Sequence, residues 1–193
     1  MESFKYALIM LINFVFDAYI FILLVRLVLQ KMGAHWHNPI SQFVVKVTQP
    51  VVVPLRKIFP GFKGFDLAIV VAIFLLEFIE TVLLVWMKIT LFPGILGAIV
   101  VTLGMLGGKV IDLYFYGVII AVIMSWVPAL QHSPLSSIVN IVTRPLMALG
   151  RRFIPSISNF DISPIVILLV LKLMEILITS PIIDLGYQLA YAS

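Results

Sequence analysis

Cysteine is absent from the 193 residues, which excludes disulfides, thiolate zinc sites and cysteine nucleophiles. Charge is scarce as well: Asp, Glu, Lys and Arg together make up 11% of the chain, where soluble domains carry about 25%. Three histidines and scattered serines compose no catalytic triad, phosphate loop or zinc-binding helix, so neither an enzymatic activity nor a cofactor is expected. His35-x-His37 has the spacing of a metal pair, but its counterpart later in the chain, His132, stands alone, and the histidines are read as ordinary headgroup-level residues. A net charge of +4 without an interleaved basic and aromatic platform gives no nucleic-acid site. Met1–Lys5 is not a strongly basic leader and no small-x-small cleavage site follows, so the first apolar stretch is expected to be an uncleaved span.

Apolar residues, by contrast, are in excess. They form 62% of the chain, with a mean hydropathy of +1.18, against about 45–50% in soluble domains. A soluble fold of this length cannot hide so much apolar surface, so lipid is the solvent for much of it. Four stretches reach the ~20 helical residues that a bilayer core requires: roughly Phe4–Gln30, Asp66–Met87, Gly97–Val127 and Ser163–Tyr187. Gly107-Gly108-Lys109 interrupts the third, where a kink or a break is expected.

Sliding the sequence by 95 residues aligns it with itself without gaps. Asp17 and Tyr19 fall on Asp112 and Tyr114, His37 and Pro39 on His132 and Pro134, Thr48 and Pro50 on Thr143 and Pro145, Arg56 and Asp66 on Arg151 and Asp161, and Glu80 on Glu175. Prolines and charges held in one register point to a duplication, with repeats at about 4–92 and 97–187 inside a single membrane domain, 1–193. Each repeat holds two spans, so both insert in the same sense, and a pseudo-twofold axis along the membrane normal is expected. The fold class is thus an all-α membrane protein: four transmembrane helices arranged as two tandem two-helix repeats with amphipathic interfacial connectors.

Each connector opens on a capping residue followed by proline, Asn38-Pro39 and Ser133-Pro134, which starts a helix. Ile40, Phe43, Val44 and Val47 then follow helical spacing, as do Leu135, Ile138, Val139 and Val142. Ser41, Gln42 and Lys46, and in the second copy Ser137, Asn140 and Arg144, fall on the other side. Pro50 and Pro145 are expected to end both helices. Such helices either lie in the membrane interface or pack on the protein's own spans. The connectors carry eight basic residues, Lys31, Lys46, Arg56, Lys57, Lys63, Arg144, Arg151 and Arg152, against Lys5 and Lys88 on the opposite side. The positive-inside rule therefore places the connectors in the cytoplasm and both termini in the periplasm. Trp36, Trp86, Trp126, Tyr187 and Tyr191 fall near span ends, where an aromatic belt sits. Lys46, Arg56, Lys57, Arg144, Arg151 and Arg152 face anionic lipid headgroups, each contributing about 1 kcal/mol near the surface.

Inside the spans, Asp17, Arg26, Glu77, Glu80, Lys109, Asp112, Lys172 and Glu175 are costly unless they face the bundle interior or water. At about 1.5 Å of rise per residue, Asp17, Glu80, Asp112 and Glu175 share one layer, roughly 20 Å from the cytoplasmic ends of their helices. Glu77 and Lys172 occupy one repeat position with opposite charge, as a cross-repeat ion pair would. Lys109 stands three residues before Asp112 and is placed to pair with it along one helix face. The layer reads as a polar network holding the helices together, as a cation or proton pathway, or as the seat of a partner's membrane helix. Gly104-x-x-x-Gly108 permits close helix packing.

The connector motifs resemble those of the YggT family of bacterial membrane proteins. The resemblance rests on Asn38-Pro39-Ile40-Ser41, Thr48-Gln49-Pro50, Pro54-Leu55-Arg56-Lys57-Ile58-Phe59-Pro60 and Phe65-Asp66. In the second copy it rests on Ser133-Pro134, Thr143-Arg144-Pro145, Arg151-Arg152-Phe153-Ile154-Pro155 and Phe160-Asp161-Ile162-Ser163-Pro164. Leu149 stands where a partner of Pro54 would be, and Ala68-Ile69 where a partner of Ser163-Pro164 would be. The resemblance implies a bacterial plasma-membrane protein without an established biochemical activity. It implies roles in membrane organisation, cell division or osmotic and cation stress, and, through plastid relatives, complex assembly. Two functions follow: a non-enzymatic organising or assembly protein that uses its connectors, with anionic lipid and a membrane-protein partner or a second copy, or a small cation or proton transporter or channel that uses the acidic layer.

The eight-to-two division of basic residues generates the first prediction: a periplasm-reporting fusion placed after Ser193 is active, and a cytoplasm-reporting fusion at the same point is silent.

Overall fold

The structure, a computed structural model, describes residues 2–33, 37–61, 64, 66–89, 92–153 and 161–191. His35, Trp36, Lys63, Phe65, Ile154, Pro155 and Phe160 lie outside the described residues. The described chain is helical throughout: α1 (Glu2–Lys31), α2 (Pro39–Ile58), α3 (Leu67–Ile89), α4 (Ile95–Trp126), a 3₁₀ turn (Pro128–Leu130), α5 (Pro134–Phe153), α6 (Ser163–Met174), a π segment (Glu175–Thr179) and α7 (Ser180–Tyr191). Four helical stretches are long and apolar enough to cross a membrane: α1, Leu67–Lys88 of α3, α4, and the joined Ser163–Tyr191. Both ends of α2 lie 95 residues before the corresponding ends of α5.

The helices start where the chemistry supplies a partner for their first N–H groups. Asn38 Oδ1 accepts from the Ile40 N–H at 2.9 Å, with Pro39 in the first helical position. Asp66 Oδ1 accepts from the Ala68 N–H at 3.2 Å, and Asp161 Oδ1 from the Ser163 N–H at 3.0 Å. Each of these aspartates also pairs with an arginine ten residues earlier, Asp66 with Arg56 and Asp161 with Arg151. The end of each connector is thereby fastened to the start of the following span. Slight burial by itself raises the Asp161 carboxyl, but the bonds from Ser163 and Arg151 outweigh it and hold it below the usual carboxylate range.

Pro50 and Pro145 do not end their helices; α2 runs through Pro50 and Pro54, and α5 through Pro145. A proline removes one intrahelical bond and crowds the preceding turn, and here packing holds the helix together. Thr48 Oγ1 donates to the Val44 carbonyl at 2.5 Å, and Thr143 Oγ1 to the Val139 carbonyl at 2.8 Å. The Tyr19 hydroxyl reaches from α1 to the Val47 carbonyl, 3.2 Å away, three residues before Pro50. Arg26, buried in α1, donates through Nη1 to Thr48 Oγ1 at 2.6 Å. Its 95-residue counterpart is Ala121, so α5 lacks this tether.

The buried face of α2 is Ser41, Val44, Thr48 and Val52. Ser41, expected on the polar side, is fully enclosed, and Phe43, expected on the apolar stripe, is exposed. In α5, Ile138, Val139 and Val142 pack as expected with Ser136 and Thr143, but Leu135 is exposed. Each connector therefore packs one side on the spans and presents another with exposed apolar side chains (Phe43 and Val53; Leu135, Leu149 and Phe153) near exposed Lys46, Lys57, Arg144 and Arg152. Asn38 Nδ2 joins the two connectors by donating to the Pro134 carbonyl at 2.8 Å.

The third span is continuous through Gly107-Gly108, so no break falls there. The irregular helix is the fourth, whose π segment Glu175–Thr179 precedes Pro181. A π turn inserts one residue, and its effect is visible in the packed face. Buried Ile167 and Leu171 would be followed about five turns, or ~18 residues, later by 185 and 189 on a regular helix. Leu185 and Leu189 are instead exposed, and Gly186 and Ala190 are buried. That shift sets α7 backbone-to-backbone on α4. A Cβ built on Gly97 would lie 2.2 Å from the Ala190 nitrogen, and one on Gly186 would lie 2.6 Å from the Val101 nitrogen. Gly108 of the expected Gly104-x-x-x-Gly108 pair has nothing within 4 Å of such an atom. The close pair on α4 is therefore Gly97 and Gly104.

In detergent, Gly97→Ala and Gly186→Ala are expected to lower thermal stability by roughly 1–3 kcal/mol, because backbone atoms block the added methyl. Gly108→Ala is expected to match or exceed the wild type by up to about 1 kcal/mol, through helix propensity alone. Equal effects at the three positions would contradict the packing described.

Candidate functional site

Glu77 and Glu80 project from one face of α3, three residues apart, and both carboxylates accept from Lys109 of α4, at 2.5 and 2.9 Å. Asp17 of α1 lies 2.6 Å from the same ammonium. One lysine thus holds three carboxylates from two other spans. The Glu77 and Glu80 side chains are 3% exposed and Lys109 20%, so the pairing satisfies charges that the hydrocarbon would otherwise expel.

One helical turn along α4, a second group forms. Lys172 of α6 donates to Glu175 Oε2 at 2.5 Å, and its ammonium stands 3.9 Å from Asp112 and 4.7 Å from the centre of the Phe115 ring. Asp112, Lys172 and Glu175 are 42, 44 and 33% exposed, far more open than Glu77 and Glu80, while Asp17 of the first group is equally open at 43%. Glu175 opens the π segment, and its carbonyl accepts from Thr179 Oγ1 at 2.6 Å and from Ser180 Oγ at 3.1 Å.

Two expected pairs are not formed. Glu77 is bonded to Lys109, not Lys172, and Lys109 reaches across to α1 and α3, not along α4 to Asp112. Depth counted along a helix fixes height in the membrane but not direction around the axis. Arg56 and Arg151, expected to face headgroups, are both engaged with capping aspartates.

The two groups share one cavity of about 1080 Å³ that all four spans line. Asp17, Glu77, Glu80, Lys109, Asp112 and Glu175 stand on its wall, with Lys88 toward the end at which the chain termini lie. Lys172 is absent from that lining. Among the described residues, no set of three or more His, Cys, Asp or Glu side chains is arranged to hold a metal ion. The spans pack in a row, α1 on α3, α3 on α4, and α4 on α6 and α7; α1 and α7 do not close on each other as these pairs do. The cavity occupies the space between them.

A cavity of charged residues lined by four apolar helices defines the class: a multi-pass helical membrane protein. The chain belongs to the CCB3/YggT family, which it matches over residues 5–87 and again over 100–182. Relatives include a protein of Pseudomonas aeruginosa, 34% identical over 161 residues that cover 83% of this chain and 82% of that one. A protein of Vibrio alginolyticus is 34% identical over 188 residues, 93% and 97% of the two chains. The YggT protein of Escherichia coli K12 is 32% identical over 166 residues, 86% and 85%. All three are described as uncharacterised. No solved structure matches the chain.

Lys109→Met leaves Glu77 and Glu80 buried without their cation and is expected to destabilise the protein by about 3–5 kcal/mol. Lys172→Met, at a half-exposed pair, should alter stability by less than about 1 kcal/mol. Thermal unfolding in detergent measures both, and a larger loss for Lys172→Met would reverse the assignment of the anchoring lysine.

Proposed function

We propose that this protein admits a cation or proton to the acidic cavity between its spans and moves it across the membrane. The observation that carries the reading is the cavity itself. A network serving only to hold helices together would be closed around its charges, whereas here Asp112 and Glu175 stand half-exposed on the wall of an open space. Intramembrane carboxylates facing a cavity are the usual marks of ion and proton pathways. In this reading Lys109 is a fixed countercharge for Glu77 and Glu80, and Asp112 and Glu175 receive the cation. The two halves are read as a tandem duplication with cytoplasmic connectors, so that the cavity opens toward the periplasmic half.

The connectors favour a second reading. Exposed Phe43, Leu135 and Phe153 beside exposed Lys46, Lys57, Arg144 and Arg152 suit a surface that grips anionic lipid. Such a platform would serve membrane organisation or assembly in division or osmotic stress, and it is compatible with a transporting cavity.

The test is ion flux in proteoliposomes. Wild-type protein is expected to move protons or monovalent cations down a gradient, and Glu80→Gln or Asp112→Asn to reduce the rate at least tenfold. Flux unchanged in both variants removes the cavity from the pathway. If wild-type protein gives no flux and a partner copurifies only while the connector cations are intact, the organising role is the function.

A further inference from the structure

We propose that the cavity takes an amphipathic organic cation, entering sideways from the lipid between α1 and α7. The inference deepens the reading of the cavity as a cation site and rests on it. Three observations narrow the class of cation. First, the point of densest negative charge is already filled: Asp17, Glu77 and Glu80 converge on the Lys109 ammonium at 2.5–2.9 Å, and no described cluster is arranged for a metal. Second, about 1080 Å³ is the size of a drug-sized ligand site, far larger than the close oxygen cage a bare ion needs. Third, aromatic rings stand among the apolar and polar side chains of the remaining wall. Phe14 and Phe21 of α1, Tyr116 of α4, and Tyr187 and Tyr191 of α7 line it, as cation-binding aromatic sites do for quaternary ammonium groups. Lys172 over Phe115 is an instance of that attraction within the protein.

Charge and access agree with this class. Five carboxylates line the cavity against Lys88 and Lys109. Counting Lys172, which pairs with Glu175 from outside the lining, the formal balance is two carboxylates in excess of the cations. Met10, Phe14 and Phe21 on one flank and Tyr191 on the other are exposed although they line the cavity, so the opening lies between the unclosed helices at the level of the acyl chains. A hydrophilic ion gains nothing from that route, whereas a cation carrying apolar groups partitions into it.

The probe pair is tetraphenylphosphonium and tetraphenylborate, alike in shape and opposite in charge, in equilibrium binding to the full chain in nanodiscs. Tetraphenylphosphonium is expected to bind saturably and tetraphenylborate at least tenfold more weakly. Asp112→Asn should weaken the cation's binding about tenfold, and Lys172→Met, which releases Glu175, should tighten it several-fold. Equal binding of the two probes overturns the proposal on wild-type protein alone, whatever the variants do. Proton or metal-cation flux that Glu80→Gln abolishes, without saturable tetraphenylphosphonium binding, overturns this inference and leaves the transport reading intact. Saturable, charge-selective binding without flux upholds the inference and removes the transport.

Discussion

Three carboxylates placed in an apolar bundle repel one another and resist losing water, and a single ammonium must offset both effects. Lys109 does so because it can reach α1 and α3 at once from α4. This bond ties both α1 and α3, from the first half of the chain, to α4 of the second. In water such a cluster would add little to stability. In hydrocarbon, separating the members leaves each charge without solvent, so the spans are joined by the cost of parting them more than by attraction. The row of helices can therefore leave its two ends apart and still hold together.

Glycine packing does the corresponding work on the other side of α4. Apolar side chains in lipid gain no hydrophobic stabilisation from meeting one another, so helices associate through close van der Waals contact of small residues. The contact of Gly97 with Ala190, and of Gly186 with Val101, depends on the extra residue of the π segment. The same segment begins at Glu175, so one backbone irregularity both aligns the small residues and presents a carboxylate to the cavity.

Much of this was legible in the sequence. Asn38-Pro39 and Ser133-Pro134 mark the starts of α2 and α5 because capping chemistry is local, and the four spans stand out because length and hydropathy suffice to find them. The prolines misled, since the bonds from Tyr19 and Arg26 that steady the helix around Pro50 come from packing that no local pattern displays. Ser41 and Phe43 exchanged their expected sides because the face of α2 that packs on the protein takes in Ser41 and Thr48, and apolar character alone does not mark it. The layer of charges was found by counting turns, yet its pairing was not. Rotation about a helix axis depends on irregularities such as the π segment, which leaves no distinct residue signature.

The arginine–aspartate links at the two connectors have a mechanical meaning. Each joins the far end of a surface helix to the first turn of a span, across ten residues of chain. The connector and the span then behave as a crank and its shaft. Through Arg56 and Asp66 the C-terminal end of α2 is fixed to the root of α3, the helix that carries Glu77 and Glu80. The exposed basic end of the connector and the buried carboxylates thus sit on two helices joined at one hinge-like corner.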